Sequence, residues 1–182
     1  LIIQTLLGVR GFYTNTQSMP PKFLLAIAPP LVLIITLFAT KSGRHFIDGL
    51  NIKTLTIIHI VRIPVELVLF WLFLHKTIPQ IMTFEGQNFD IISGITAPIV
   101  YYLYVKDYIG TGILLVWNFI CLVLLINIVS TAILSAPFPF QQLAFEQPNI
   151  AVLYFPFNWL PACIVPIVLF SHLVAIRGLL KG

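Results

Sequence analysis

Charged residues are scarce in this sequence. Only 9% of its 182 residues are Asp, Glu, Lys or Arg, whereas 59% are hydrophobic. Soluble domains carry about 25% charged residues, so this composition excludes an ordinary water-soluble fold and predicts that the chain lies in lipid. The net charge of +4 does not indicate nucleic-acid binding, because the Lys and Arg residues are scattered between apolar runs.

Cysteine is equally rare, and recognisable catalytic motifs are missing. Cys121 and Cys163 lie inside apolar runs without metal-site spacing, and they imply neither a metal site nor a disulfide. The chain contains no HExxH or GxSxG sequence. Glu85 and Asp90, five residues apart, are a candidate catalytic acid pair. We therefore favour a protein without enzymatic activity and keep an intramembrane enzyme as an alternative.

Long apolar runs dominate what is present. The opening letters LIIQTLL are too few to cross a bilayer, which takes about 20 helical residues. Since lipid cannot satisfy backbone hydrogen bonds, we predict an all-α transmembrane bundle with about six crossings, the first one truncated. It forms a single membrane domain over residues 1–182. The five longer runs cover residues 23–40, 54–75, 91–105, 109–134 and 158–176.

The positions of the cations predict an orientation in the membrane. Six of the ten Lys and Arg residues lie in one set of loops, three lie in the other set, and Arg62 lies inside an apolar run. Cytoplasmic loops of membrane proteins are richer in Lys and Arg than the loops on the opposite side. We therefore expect both ends of the chain to face the cytoplasm.

Two long segments, residues 76–90 and 135–159, are expected on the opposite side. Both mix aromatic residues and prolines with amides and carboxylates. Such segments anchor at the membrane interface, and they also suit the mouth of a ligand site. The candidate mouth residues are Glu85, Asn88, Asp90, Gln142 and Glu146.

One apolar run carries a polar cluster of His59, Arg62 and Glu66. A helix turns about 100° per residue, so these three side chains share one face. A charge in mid-bilayer costs at least about 2.5–3.5 kcal/mol, which means that this face must turn towards protein or trapped water. We expect Arg62 and Glu66 to neutralise each other, and Pro64 to kink the helix within the cluster.

Two more polar residues reach the same predicted depth on other helices. Asn118 lies about two turns into its run, and His172 lies about one and a half turns from the end of the last run. The predicted ligand-binding site is therefore a layer of His59, Arg62, Asn118 and His172, with Glu66 above it.

The leading hypothesis is that this layer binds or conducts a small molecule or an ion, because ionisable residues inside membranes mark functional sites. A structural or accessory subunit without a ligand would carry a similar cluster, since polar contacts also hold membrane helices together. A third hypothesis places one haem b between His59 and His172. The expected partners are the lipid bilayer and such a ligand, with a homo-oligomer or a larger membrane complex as further possibilities.

The stretches IPVELVLFWLF, MTFEGQNFDIISGITAPI and SAPFPFQQLAFEQPNI give this chain a resemblance to a family of small bacterial inner-membrane proteins. The resemblance extends over nearly the whole sequence, including GFYTNTQSMPPKF and VPIVLFSHLVAIR. That family carries no assigned function. The resemblance therefore implies a multi-pass protein of the bacterial cytoplasmic membrane, and it implies no ligand, cofactor or catalytic residue.

Overall fold

Helices account for the regular structure of this chain. The computed structural model describes residues 2–181, and that range contains no β-strand. The all-α prediction is confirmed, and each of the five predicted apolar runs contains a helix. The helices are α1 (Ile2–Val9), α2 (Leu24–Ala39), α3 (Lys41–Asp48), α4 (Ile52–Leu74), α5 (Asp90–Val105), α6 (Thr111–Leu134) and α7 (Leu160–Lys181).

Three of these helices, α4, α6 and α7, are long and apolar enough to cross a membrane. The bent pair of α2 and α3 would make a fourth crossing if it is one broken span. The prediction of about six crossings is therefore not confirmed. With 8 and 16 residues, α1 and α5 are about 12 and 24 Å long, less than the roughly 30 Å of a hydrocarbon core.

The chain bends by 92° between α2 and α3. The Thr40 side chain begins α3 by accepting a hydrogen bond from the Gly43 N–H at 3.1 Å. Arg44 then donates to the Ala39 carbonyl at 2.8 Å, which satisfies a free carbonyl at the end of α2. Lys41 and Arg44, which the predicted orientation places in a loop, lie in this short capped helix instead.

The directions of the longer helices follow from their contacts. His59 meets Trp117 in the first half of α4 and α6, and Leu69 packs in one apolar cluster with Leu125 further along, so these two helices run in the same direction. α5 begins at Asp90 and proceeds towards the start of α4, and α7 proceeds the same way. α5 and α7 are therefore antiparallel to α4.

Two helices depart from regular α geometry where proline falls inside them. Residues Ile58–Val61 form a 3₁₀ turn just before Pro64, whose ring has no N–H to offer the preceding turn. The irregular turn therefore precedes Pro64, and His59 lies in it, whereas the kink at Pro64 stays a prediction. α7 begins with a π-helical turn, Leu160–Ile164, which contains Pro161. Such turns are rare and often occur at functional sites.

The long segments 75–89 and 135–159 fold onto the bundle, rather than lying wholly at its surface. Ile78 is fully buried, and the Ile150 N–H donates to the Thr77 carbonyl at 3.0 Å, which ties the two segments together. Irregular backbone of this kind is tolerated at membrane depth only where protein encloses it. The folding of segment 75–89 into the bundle lets α5 begin deep inside it.

Candidate polar site in the bundle

Four of the predicted residues form one layer inside the bundle. His59, Arg62, Asn118 and His172 are each at most 2% exposed. They project from α4, α6 and α7, and each of them contacts at least one other member of the layer. We call these four residues the polar layer.

Arg62 turns into protein, and its guanidinium contacts three other helices. Its Nη1 donates to Asp90 Oδ1 at 2.7 Å and to the Cys121 carbonyl at 3.3 Å. Its Nη2 donates to His172 Nε2 at 2.9 Å. The guanidinium therefore joins α4 to α5, α6 and α7, as a buried charge requires.

Asp90, rather than Glu66, is the carboxylate that pairs with Arg62. In the described part of the chain Glu66 forms no ion pair, and its two carboxylate oxygens each accept a hydrogen bond from Asn88 Nδ2 at 2.7 Å. The expected Arg62–Glu66 pair is therefore wrong. The start of α5 brings Asp90 closer to the guanidinium than the next turn of α4 brings Glu66.

The five candidate mouth residues separate into two groups. Asn88 and Asp90 are buried, at 1% and 5% exposure, and they belong to the interior site rather than to a surface mouth. Asn88 bridges the cluster, because it donates to Glu66 while its Oδ1 accepts the Asp90 N–H at 3.0 Å. Glu85, Gln142 and Glu146 are exposed on the loops.

The sequence did contain a signal for the position of Asp90. It immediately precedes an apolar run, where an acidic residue in the first turn of a helix interacts favourably with the helix dipole. The Cys121 carbonyl carried no comparable signal, because a backbone group contacts Arg62 whatever side chain stands at that position.

The hydrogen bonds of His172 define its tautomer. Because Arg62 donates to Nε2, this nitrogen is an acceptor, and the ring proton lies on Nδ1. Nδ1 then donates to Asn118 Oδ1 at 2.9 Å, and Asn118 Nδ2 donates in turn to the Leu114 carbonyl at 2.9 Å. His172 is therefore a neutral imidazole with both ring nitrogens engaged.

His59 is placed differently from its neighbour. Its ring is stacked on that of His172, with 3.9 Å between the centroids and 16° between the planes, and Trp117 lies against its edge. Both nitrogens of His59 are buried, and neither has a hydrogen-bond partner among residues 2–181. A haem held from both sides would lie between the two imidazoles, and rings in stacking contact leave no space for it, so the geometry gives the haem hypothesis no support.

A cavity of about 370 Å³, partly open to the outside of the bundle, lies beside Glu66 and Asp90. Its walls are mostly apolar side chains of α2, α6 and α7, and the π-helical turn of α7 contributes two of them. Glu66 and Asp90 line it, whereas Arg62 does not. Representative wall residues are Ile27, Leu125, Val129, Leu160, Pro161 and Leu169. Pockets for small molecules commonly have about this volume and this apolar character.

The chemistry that this arrangement supports is binding. In the described range no group of three or more His, Cys, Asp or Glu side chains is arranged to hold a metal ion. What the site offers is carboxylate and amide oxygens beside an apolar space. Sequence reasoning missed that space, since its walls come from helices far apart in the chain and carry ordinary apolar residues.

Comparisons with known proteins place the chain in a family but not near a characterised protein. A family model described as a domain of unknown function matches residues 19–180. No curated protein matches the chain, and no solved structure does.

Proposed function

We infer the function from geometry alone, because the chain belongs to the family described as a domain of unknown function (DUF8737), and that description names no activity. Our proposal is that this is an integral membrane protein that binds a small amphipathic molecule. The ligand occupies the cavity between α2, α6 and α7, next to the carboxylates of Glu66 and Asp90.

The proposed setting is a bilayer, in which α4, α6 and α7 cross the membrane. α5 and the irregular segment 75–89 together form one discontinuous membrane-spanning segment, of the kind that surrounds binding sites in membrane transporters. The resemblance to a family of bacterial inner-membrane proteins favours a bacterial cytoplasmic membrane, and the distribution of cations favours both described ends on the cytoplasmic side.

The observation that carries this proposal is the coincidence of an apolar cavity with charged groups in its wall. A purely structural polar cluster would be sealed by packing on all sides, because an empty space beside a buried carboxylate removes contacts and offers no compensation. Here Glu66 is only 1% exposed, yet it borders a space of about 370 Å³. A ligand in that space would supply the missing contacts.

The experiment fills the cavity and measures ligand binding. Val129 lines the cavity, and Val129→Trp places an indole in the space that a ligand would use. Native mass spectrometry of the purified protein, with decylamine, decanol or decanoic acid as probes, should show one bound molecule of at least one probe in the unaltered protein. The Val129→Trp variant should lose at least about 90% of that occupancy, a tenfold loss that corresponds to about 1.4 kcal/mol.

Val123 provides the matched control, because it lies on the same helix and 63% of its surface is exposed away from the cavity. Val123→Trp should bind the probe as the unaltered protein does. If neither variant changes the occupancy, or if no probe binds at all, the cavity is not a ligand site, and the structural or accessory role becomes the better interpretation.

A further inference from the structure

The buried charges of the bundle do not balance. The interior site contains one cation, Arg62, and two carboxylates, Asp90 and Glu66. Arg62 is committed to Asp90, to a carbonyl and to His172, whose ring is neutral. Glu66 has only the neutral amide of Asn88 as a hydrogen-bond donor. A buried carboxylate without a cation is costly, and a cation beside Glu66 would stabilise its ionised form.

Three residues that carry acceptor oxygens contribute to the cavity wall. Two of them are Glu66 and Asp90. Asn149 also lines it, is 1% exposed, and has a buried Oδ1 without a hydrogen-bond partner, while its Nδ2 already donates to the Ala132 carbonyl at 3.2 Å. An unpaired buried acceptor costs the desolvation free energy of that group unless a ligand donor reaches it. A ligand N–H or O–H that reached Asn149 Oδ1 would remove this cost.

The apolar walls of the cavity determine which kind of ligand body fits beside the polar residues. Apart from Glu66, Asp90, Asn149 and Ser130, the lining residues are apolar. A hydrated inorganic ion gains nothing from such walls, whereas a hydrocarbon body gains about 0.8 kcal/mol for each buried CH₂ group. Charge, hydrogen bonding and the apolar walls therefore favour the same kind of ligand.

We propose that the ligand is a cationic amphiphile, with a protonated amine at the carboxylates and a hydrocarbon body between α2, α6 and α7. This inference rests on the proposed binding function and adds the chemical class of the ligand. The ammonium donates to Glu66 and supplies the positive charge that Arg62 cannot share. Its hydrocarbon body contacts the same walls that Val129→Trp would fill.

The test compares head groups on a constant ten-carbon chain. Dissociation constants are measured by native mass spectrometry for decylamine, decyltrimethylammonium, decanol and decanoic acid, with the protein at neutral pH. Decylamine should bind at least about tenfold more tightly than decanol, since a hydrogen bond to a charged group is worth more than one between neutral groups. Decyltrimethylammonium should be weaker than decylamine because it has no N–H, and decanoic acid should be weakest.

Two carboxyl-to-amide variants test which residue causes the tighter binding of decylamine relative to decanol. Glu66→Gln should remove most of the advantage of decylamine over decanol and leave decanol binding within about twofold, which corresponds to only a few tenths of a kcal/mol. Asp107→Asn changes a carboxyl to an amide at an exposed position with positive φ, which Asn tolerates, and it should leave the whole series unchanged. The series on the unaltered protein decides the question even if Glu66→Gln fails to fold.

The outcomes separate this inference from the proposed function. Equal binding of decylamine and decanol, or tighter binding of decanoic acid, overturns the amine assignment and leaves the cavity as a ligand site. Sodium ions that stabilise the protein alone and displace decylamine would show that the compensating cation is inorganic, which also overturns it. Absence of binding by all four probes overturns the binding site and the head-group assignment together.

Discussion

At the scale of residues, the central feature is that Arg62 pairs with Asp90 rather than with Glu66, which was the expected partner. The sequence was sufficient to predict that His59, Arg62 and Glu66 face protein, because three polar side chains on one helical face must avoid lipid. It was not sufficient to choose between Glu66 and Asp90 as the counter-ion. That choice depends on where α5 begins, and a tertiary arrangement of segment 75–89 determines it.

A double-mutant cycle tests the Arg62–Asp90 pair. Arg62→Ala should lower the free energy of unfolding by about 3–5 kcal/mol, because it leaves Asp90 buried and unpaired. The double change with Asp90→Ala should cost clearly less than the sum of the single changes. The measurement is reversible chemical unfolding of the detergent-solubilised protein.

The same cycle with Arg62→Ala and Glu66→Ala serves as the comparison. Its coupling free energy should be smaller than that of the first cycle, because Glu66 has no direct contact with the guanidinium. Strict additivity in the first cycle, or a larger coupling in the second, would return Glu66 to the role of counter-ion and contradict the arrangement described above.

At the scale of elements, α5 is the helix that builds the site. Its length and its apolar character were predictable, and its range differs from the predicted run by a single residue. Its depth was not predictable, because it depends on how far the preceding segment folds inwards. Gly94 permits the close approach: a Cβ atom there would lie 2.9 Å from Ile63 Cγ1 and 3.2 Å from Arg62 Cβ. Small residues commonly allow such contacts between membrane helices.

Replacing Gly94 should therefore separate α5 from α4. We expect Gly94→Ala to destabilise the protein by about 1–3 kcal/mol, the usual cost of overpacking, and to weaken ligand binding because Asp90 moves with its helix. Gly112→Ala is the matched control, since a Cβ atom at that helical position meets nothing within 4 Å. Thermal unfolding of both variants provides the measurement. Equal melting temperatures would mean that α4 and α5 are not in close contact.

At the scale of the whole molecule, the sequence indicated the helical class and the positions of the apolar helices, but the predicted number of crossings is not confirmed. Hydrophobicity shows where a helix forms, and it does not show that the helix reaches across the bilayer. Helix formation and membrane crossing differ at two places. α5 is apolar but has only sixteen residues, and α2 is apolar but is followed by a 92° bend. The cavity likewise depends on the whole molecule, because it forms only when α2, α6 and α7 have assembled.

The most direct test of the central claim is to photolabel the cavity. Decylamine with a photoreactive diazirine at the far end of its chain is irradiated with the protein in lipid nanodiscs, and the modified residues are identified by peptide mass spectrometry. Crosslinks should concentrate on the cavity walls, at residues such as Leu125, Val129 and Leu169, and unlabelled decylamine should suppress them. Crosslinks confined to outward-facing residues such as Ile120 and Val123, without competition, would contradict the claim that the cavity is a ligand site.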